Sequence, residues 1–272
     1  MKTGGIRLFF LAVLAGGSGC GSPVSGPDGA VPGSREMQAR LSQPFAVATR
    51  SAADPPAGVA KPIDVTFTGK RTHPLIEEVQ ASWDSIDLMD GAGQVLAPVV
   101  LLETSLGTVE ITLNPGAAPN HVRNFLALIE AKYYDGMRFD RIRQEEVAGA
   151  PELNLVRVEA GCPLGDGTSE GGHLGYWLRS EASRQLPAMP LRAGVVGACL
   201  GADPDSGSCR FFVLLQDARY LEGEETGFGT ITRGIAVIQA IFQHSLGDAA
   251  PGSAGNETHE PVLIHQARRQ RP

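Results

Sequence analysis

The 272-residue sequence has few cysteines and no excess of basic residues, and both shortages exclude classes of function. Lysine and arginine number 23 against 30 aspartates and glutamates, so a net charge of -7 disfavours general binding to nucleic acid or anionic lipid. The four cysteines lack C-x-x-C spacing and the six histidines are scattered, so we expect no metal site. No arrangement of serine, histidine and aspartate supports a hydrolase. Proteins or peptides are therefore the expected partners.

The apolar run at the N-terminus, Leu8–Leu14, is too short to cross a bilayer. It follows two basic residues and is typical of a signal peptide, which we predict over residues 1–19. Cys20 follows small residues and resembles the processed cysteine of bacterial lipoproteins, so we expect it to be acylated; a signal peptide that is simply cleaved is the alternative. Gly21 indicates sorting to the outer membrane of a Gram-negative host. The expected product is an exported lipoprotein of the cell envelope, facing the periplasm and bound to the membrane only through its lipid.

The rest of the chain divides by composition into three parts. Residues 20–60 are rich in glycine, proline, serine and alanine, so we expect a disordered tether. Residues 61–95 are predicted to be an ordered extension, with a strand at Ile63–Phe67 and mixed helical spacing over Leu75–Leu88. Residues 96–272 form the main domain.

Apolar spacing in the main domain predicts short strands and two helices. Val99–Leu102 and the strictly alternating Val109–Leu113 indicate a strand pair. A helix is expected to start with Asn120 as its N-cap, and a second helix to follow Gly234. A last strand is predicted at Pro261–Ile264. This pattern fits a barrel with capped ends.

A set of short motifs in the main domain resembles the cyclophilin family. In chain order these are Thr104–Gly107, Ala118–Phe125, Tyr134–Arg141, Gly172–Tyr176, Glu181, Asp203–Ser206, Phe211 with Phe212, and Gly227–Gly229. Each motif is weak alone, but the ordered set is specific. The resemblance implies a mostly β fold, a closed antiparallel β-barrel capped by two α-helices. It also implies peptidyl-prolyl cis-trans isomerase activity, proline-containing polypeptides as partners, no cofactor and a monomer.

The resemblance also assigns site residues. Arg141 matches the catalytic arginine, Phe212 the floor of the pocket for the proline ring, and Leu221 its wall. Tyr220 stands where the best-known eukaryotic members have tryptophan, and Val156 where a phenylalanine is usual.

The chain departs from the family pattern after the catalytic arginine. Residues 143–155 look like an insertion beside the site. Glu159 and Arg210 replace two glutamines that lie together in the family, and we assign both, with Arg157, to substrate binding. We expect an ion pair between Glu159 and Arg210; in the competing arrangement Glu159 captures Arg141 and suppresses activity.

The sequence leaves the state of three cysteines open, because Cys162, Cys199 and Cys209 cannot all pair with one another. A disulfide between Cys199 and Cys209 and three buried thiols are equally compatible with the spacing. The function we expect is prolyl isomerisation that assists folding of exported proteins. The alternative is a catalytically weak or inactive module that binds proline-containing peptides.

Overall fold

The computed structural model describes residues 35–168, 172–182, 189–246 and 261–270. The predicted signal peptide and Cys20 lie outside these ranges, so their assignment stays a prediction. Within the described ranges, no helix is both long and apolar enough to span a membrane.

Ten strands, five α-helices and two short 3-10 helices (Pro151–Leu153 and Arg219–Leu221) make up the described structure. The strands are β1 (Thr49–Ser51), β2 (Val99–Thr104), β3 (Gly107–Leu113), β4 (Phe139–Glu145), β5 (Leu155–Ala160), β6 (Tyr176–Leu178), β7 (Val195–Ala198), β8 (Phe211–Leu214), β9 (Gly227–Arg233) and β10 (Ile264–Arg269). The helices are α1 (Arg35–Leu41), α2 (Phe45–Ala48), α3 (Thr72–Trp83), α4 (Pro119–Glu130) and α5 (Ile235–Leu246).

Eight strands form one curled antiparallel sheet in the order β10-β2-β3-β9-β7-β8-β5-β4. Its two edges meet where β4 and β10 begin. There, Phe139 N–H donates to the Val262 carbonyl at 3.0 Å and Ile264 N–H to the Met137 carbonyl at 2.7 Å. These bonds, with a single bridge between Arg138 and Leu263, join the two edges of the sheet where the edge strands begin. The expectation of a mostly β barrel is confirmed. The last strand, however, begins at Ile264 rather than at Pro261.

Alternation along the strands builds the barrel interior. Val100 and Leu102 of β2 are buried together with Val109 and Ile111 of β3, while the residues between them point outward. The predicted pair is confirmed as antiparallel, with Leu102 opposite Val109. Helix α4 packs on this interior, and all its residues from Pro119 to Ile129 are buried.

The N-terminus of α4 is capped by a residue distant in sequence. The helix begins at Pro119, and the cap residue Ala118 offers no side-chain hydrogen bond. The carboxylate of Glu181 accepts the backbone N–H groups of Asn120 at 3.1 Å and His121 at 3.0 Å. The prediction of Asn120 as N-cap is therefore wrong, because a carboxylate from another loop satisfies the free N–H groups.

Residues 35–60 do not form the expected tether. Met37 and Leu41 of α1 are buried in the main core and Phe45 packs against it, at a spacing of four residues. Strand β1 pairs with β6, so this stretch is bound to the domain. The prediction is wrong here because three well-spaced apolar side chains find a preformed surface, although the average composition is polar.

The extension at residues 61–95 also differs from its predicted elements. In place of a strand at Ile63–Phe67, Val65 forms a single bridge to Arg71 across a tight turn. Helix α3 follows and buries Leu75, Val79 and Trp83 at four-residue spacing against the core.

Candidate functional site

Strands β4, β5 and β8 place the predicted site residues side by side. In the strand register Glu159 of β5 lies between Arg141 of β4 and Phe212 of β8. Since side chains alternate along a strand, Arg157 and Glu159 share one face of β5, and Val158 points to the opposite face and into the barrel core.

A cavity of about 420 Å³ opens on this face. Arg141, Arg157, Glu159 and Arg210 line it, together with residues 57–59 of the N-terminal segment. Four of the predicted site residues are therefore brought to one concave surface. Its size is typical of a small-ligand or peptide side-chain site.

Arg141 offers an exposed guanidinium at the cavity wall. Its Nη1 donates to the carbonyl of Gly167 at 3.4 Å, a long hydrogen bond that leaves the group available. Gly167 has φ +72°, and a Cβ there would lie 2.9 Å from Cβ of Arg141. Glycine is thus needed both for the backbone conformation and for the approach of the loop to Arg141.

Glu159 lies at the centre of a buried ion cluster and is only 1% exposed. One carboxylate oxygen accepts Nε of Arg157 at 2.7 Å, and the other accepts Nη2 of Arg210 at 2.5 Å. The expected ion pair between Glu159 and Arg210 is present, and the competing capture of Arg141 is not what the structure shows. Arg157 extends the cluster through Nη1, which lies 2.9 Å from each carboxylate oxygen of Glu225.

Asp140 lies at the edge of this cluster, 4.0 Å from Arg210. Burial raises the pKa of Asp140 to about 6, although the positive charge of Arg210 acts in the opposite direction. Its Oδ2 accepts the backbone N–H of Cys162 at 2.7 Å.

Phe212 is completely buried in a small apolar cluster beneath the ion cluster. Leu221 packs against the same apolar cluster, in agreement with its predicted place beside Phe212. The guanidinium of Arg157 lies 4.7 Å from the centre of the Phe212 ring and covers it. On β7, a Cβ at Gly197 would lie 2.3 Å from the ring, so glycine is required there. Arg157 therefore covers the residue that the resemblance assigns to the pocket floor.

Two other predicted residues lie apart from this floor. Val156 is partly buried against the main core, whereas Phe212 belongs to the smaller cluster, so the assignment of Val156 to the ring pocket stays a prediction. Because side chains alternate along β5, it is Arg157 that lies on the face beside Phe212. Tyr220 lies exposed in a short turn, Arg219–Leu221. Partial burial raises the pKa of Tyr220, and the negative charges of Glu145 and Glu225 act in the same direction.

Sequence reasoning missed one wall of the cavity, formed by residues 55–60, which we call the strap. Oδ2 of Asp203 accepts Nη1 of Arg50 at 3.1 Å and the backbone N–H of Ala57 at 3.4 Å. Nε2 of His173 lies 3.0 Å from the carbonyl of Ala60. Pro56 of the strap is buried. The strap had no sequence signal, because its contacts come from backbone groups and distant loops.

Cys162, Cys199 and Cys209 are free and buried, so the structure favours thiols over a disulfide. Burial raises the pKa of Cys209 to about 12, and this thiol therefore stays protonated near neutral pH.

Comparisons with known proteins agree with this geometry. Residues 99–269 match the family model described as cyclophilin type peptidyl-prolyl cis-trans isomerase/CLD. Peptidyl-prolyl cis-trans isomerase-like 1 of Mus musculus is 31% identical over 144 residues, which cover 53% of this chain and 79% of that protein. A peptidyl-prolyl cis-trans isomerase of Helicobacter pylori is also 31% identical, over 52% of this chain and 78% of that protein.

A longer relative and a solved structure extend the comparison. A Rhizopus delemar peptidyl-prolyl cis-trans isomerase is 27% identical over 149 residues, but the match spans only 21% of that protein. The crystal structure of a Cryptosporidium parvum cyclophilin type isomerase superposes with a TM-score of 0.50 at 20% identity, covering 65% of this chain and 99% of that one. This likeness supports the fold.

Proposed function

The chain belongs to the cyclophilin-type peptidyl-prolyl cis-trans isomerase family, and we propose that it isomerises X-Pro bonds of exported polypeptides, with Arg141 acting on the prolyl amide. The observation that carries this proposal is the exposed guanidinium of Arg141 at the wall of the 420 Å³ cavity. Glu159 is held by Arg157 and Arg210, so it does not neutralise Arg141.

Arg141 has to accelerate rotation about an amide bond. The barrier to this rotation is about 18 to 20 kcal/mol, because the nitrogen lone pair is conjugated with the carbonyl. A guanidinium that donates a hydrogen bond toward the prolyl nitrogen withdraws that lone pair and favours the twisted transition state. It is always charged, so no proton transfer is needed. Lowering the barrier by about 7 kcal/mol would accelerate rotation roughly 10⁵-fold.

The test compares the cis-to-trans rate of an Ala-Pro peptide with the parent and with Arg141→Ala. The chain should retain residues 35–60, because they pack on the domain and line the cavity. We expect Arg141→Ala to lose about 10²-fold or more of the acceleration, since one charge-stabilising donor is removed. Arg233→Ala, which removes an exposed arginine on β9, is the matched control and should keep the parent rate.

Absence of acceleration by the parent on several X-Pro peptides would favour the second candidate function, a module that binds proline-containing segments without turnover. The observation that favours this candidate is the ion pair of Glu159 with Arg210 beside Arg141, where the family has two glutamines.

The cellular part of the proposal is supported by the N-terminal sequence, with its short apolar run before Cys20. An acylated Cys20 would hold the domain at the periplasmic side of the outer membrane, where newly exported chains fold. Metabolic labelling with a fatty acid tests the anchor. Labelled parent with unlabelled Cys20→Ala is expected, and an unlabelled parent would overturn it.

A further inference from the structure

The ring of Phe212, which the family resemblance makes the floor of the proline pocket, is covered by a charged side chain of the protein itself. Arg157 is 3% exposed, and its guanidinium lies over the ring at 4.7 Å. We propose that Arg157 is a specificity-determining residue that closes the ring pocket against neutral X-Pro segments and admits segments with an acidic side chain beside the proline. This inference rests on the proposed function, because it concerns the same pocket.

Arg157 is held firmly in this place. Its Nε donates to Glu159 at 2.7 Å, and its Nη1 lies 2.9 Å from both oxygens of Glu225. Charge-assisted hydrogen bonds of this kind are the strong ones, and the ring contact adds to them. A proline ring and this guanidinium compete for one surface, so binding of the ring requires that the guanidinium move.

The two carboxylates that bind Arg157 differ in how easily they can separate from it. Glu159 is 1% exposed and is shared with Arg210, whereas Glu225 reaches solvent with 14% of its side chain exposed. Release of Glu225 is therefore the easier step, because water can solvate its carboxylate. The guanidinium would then turn toward the open side of the pocket and lack one carboxylate partner.

The displaced guanidinium sets the substrate preference. A buried cation without its partner is unfavourable, so a neutral peptide must bind at the expense of a broken ion pair. A glutamate or aspartate next to the proline brings a carboxylate that can take the place of Glu225. Selection thus comes from a barrier against neutral peptides as well as from attraction to acidic ones.

The experiment measures kcat/KM and Kd for two peptides that differ only in Glu-Pro or Gln-Pro, with the parent chain and Arg157→Met. Methionine keeps much of the length of the side chain but carries no charge. For the parent we expect preference for Glu-Pro of about tenfold or more, seen mainly in KM and Kd. In Arg157→Met the preference for Glu-Pro should vanish. The Gln-Pro peptide should bind this variant about tenfold more tightly than it binds the parent.

Two further variants keep the test decisive. Arg157→Met with Glu225→Gln removes the carboxylate that the single change leaves unpaired. If Arg157→Met folds poorly, this double variant takes its place and should show the same loss of preference. Arg268→Met makes the same substitution on β10, at an exposed arginine paired with Glu103, and should leave both peptides unaffected.

The inference is overturned if the parent binds Glu-Pro and Gln-Pro equally, or if neither Arg157 variant changes Kd for Gln-Pro. Failure of the proposed function looks different: no chain accelerates either peptide, whatever its affinity. Because Kd is measured without turnover, the role of Arg157 is decided even in that case.

Discussion

Two equally buried regions of this protein are held together in opposite ways. The main core inside the barrel is built from apolar side chains such as Leu102 and Ile111, while the cluster around Glu159 is built from charges. Strand β5 contributes to both, since Val158 enters the core and Glu159, its neighbour, enters the cluster. Burial of apolar surface is favourable by itself, whereas a buried charge is tolerated only with its partners. The charged cluster lines the cavity of the proposed substrate site, which fits a role in function more than in stability.

Breaking the charged cluster should have the largest effect. Glu159→Ala leaves Arg157 and Arg210 buried without their shared carboxylate, and we expect the free energy of unfolding to fall by about 3 to 5 kcal/mol. Urea unfolding measures this change in free energy. Replacing all three residues, as Arg157→Met, Glu159→Gln and Arg210→Gln, should cost less than the single change. A single change that costs less than about 1 kcal/mol would show that the cluster is not buried as described.

A substitution that creates a cavity in the apolar core measures the corresponding loss of stability in the other region. Leu102→Ala should lower the free energy of unfolding by about 3 kcal/mol, since Leu102 is fully buried and its neighbours cannot fill the space. Leu101 is adjacent on β2 but points outward and is half-buried, so Leu101→Ala is the control. Equal costs for the two changes would contradict the alternation of β2.

The two regions also differ in how far the sequence predicts them. Alternation in Val109–Leu113 is a local signal, and it correctly predicts β3 with its inward face. The resemblance to cyclophilins correctly brings Glu159 and Arg210 together. It does not show that Arg157 covers Phe212, because an arginine in a strand is ordinarily expected at the surface. Its partner Glu225 lies 68 residues away, and only the folded chain brings the two together.

Asp140 tests the charged region by pH. Its pKa in the folded protein, about 6, lies above the ordinary value, so the folded state holds the proton more tightly than the unfolded state. Protonation of Asp140 therefore stabilises the folded state as pH falls through 6, and this stabilisation is lost as pH rises. Between pH 7 and pH 5 we expect a gain of about 1 kcal/mol in the free energy of unfolding.

Asp140→Asn serves as the control for this pH effect, because its amide oxygen can still accept the N–H of Cys162. The difference between the parent and Asp140→Asn, measured by urea unfolding at both pH values, isolates this group from other titrating carboxyls. If the two chains show the same pH dependence, Asp140 is not protonated in this range.

The strap belongs to neither region, and its attachment should matter least for stability. Asp203, which is 20% exposed, holds Arg50 and Ala57, and a partly exposed ion pair contributes at most about 1 kcal/mol. Asp203→Ala should therefore change the free energy of unfolding little, yet raise KM, because residues 57–59 line the cavity. Asp54→Ala removes a carboxylate that is 74% exposed and contacts the same arginine, so it should leave KM unchanged. If Asp203→Ala also leaves KM unchanged, the strap is only a connection between β1 and the domain, and peptide binding depends on the strands alone.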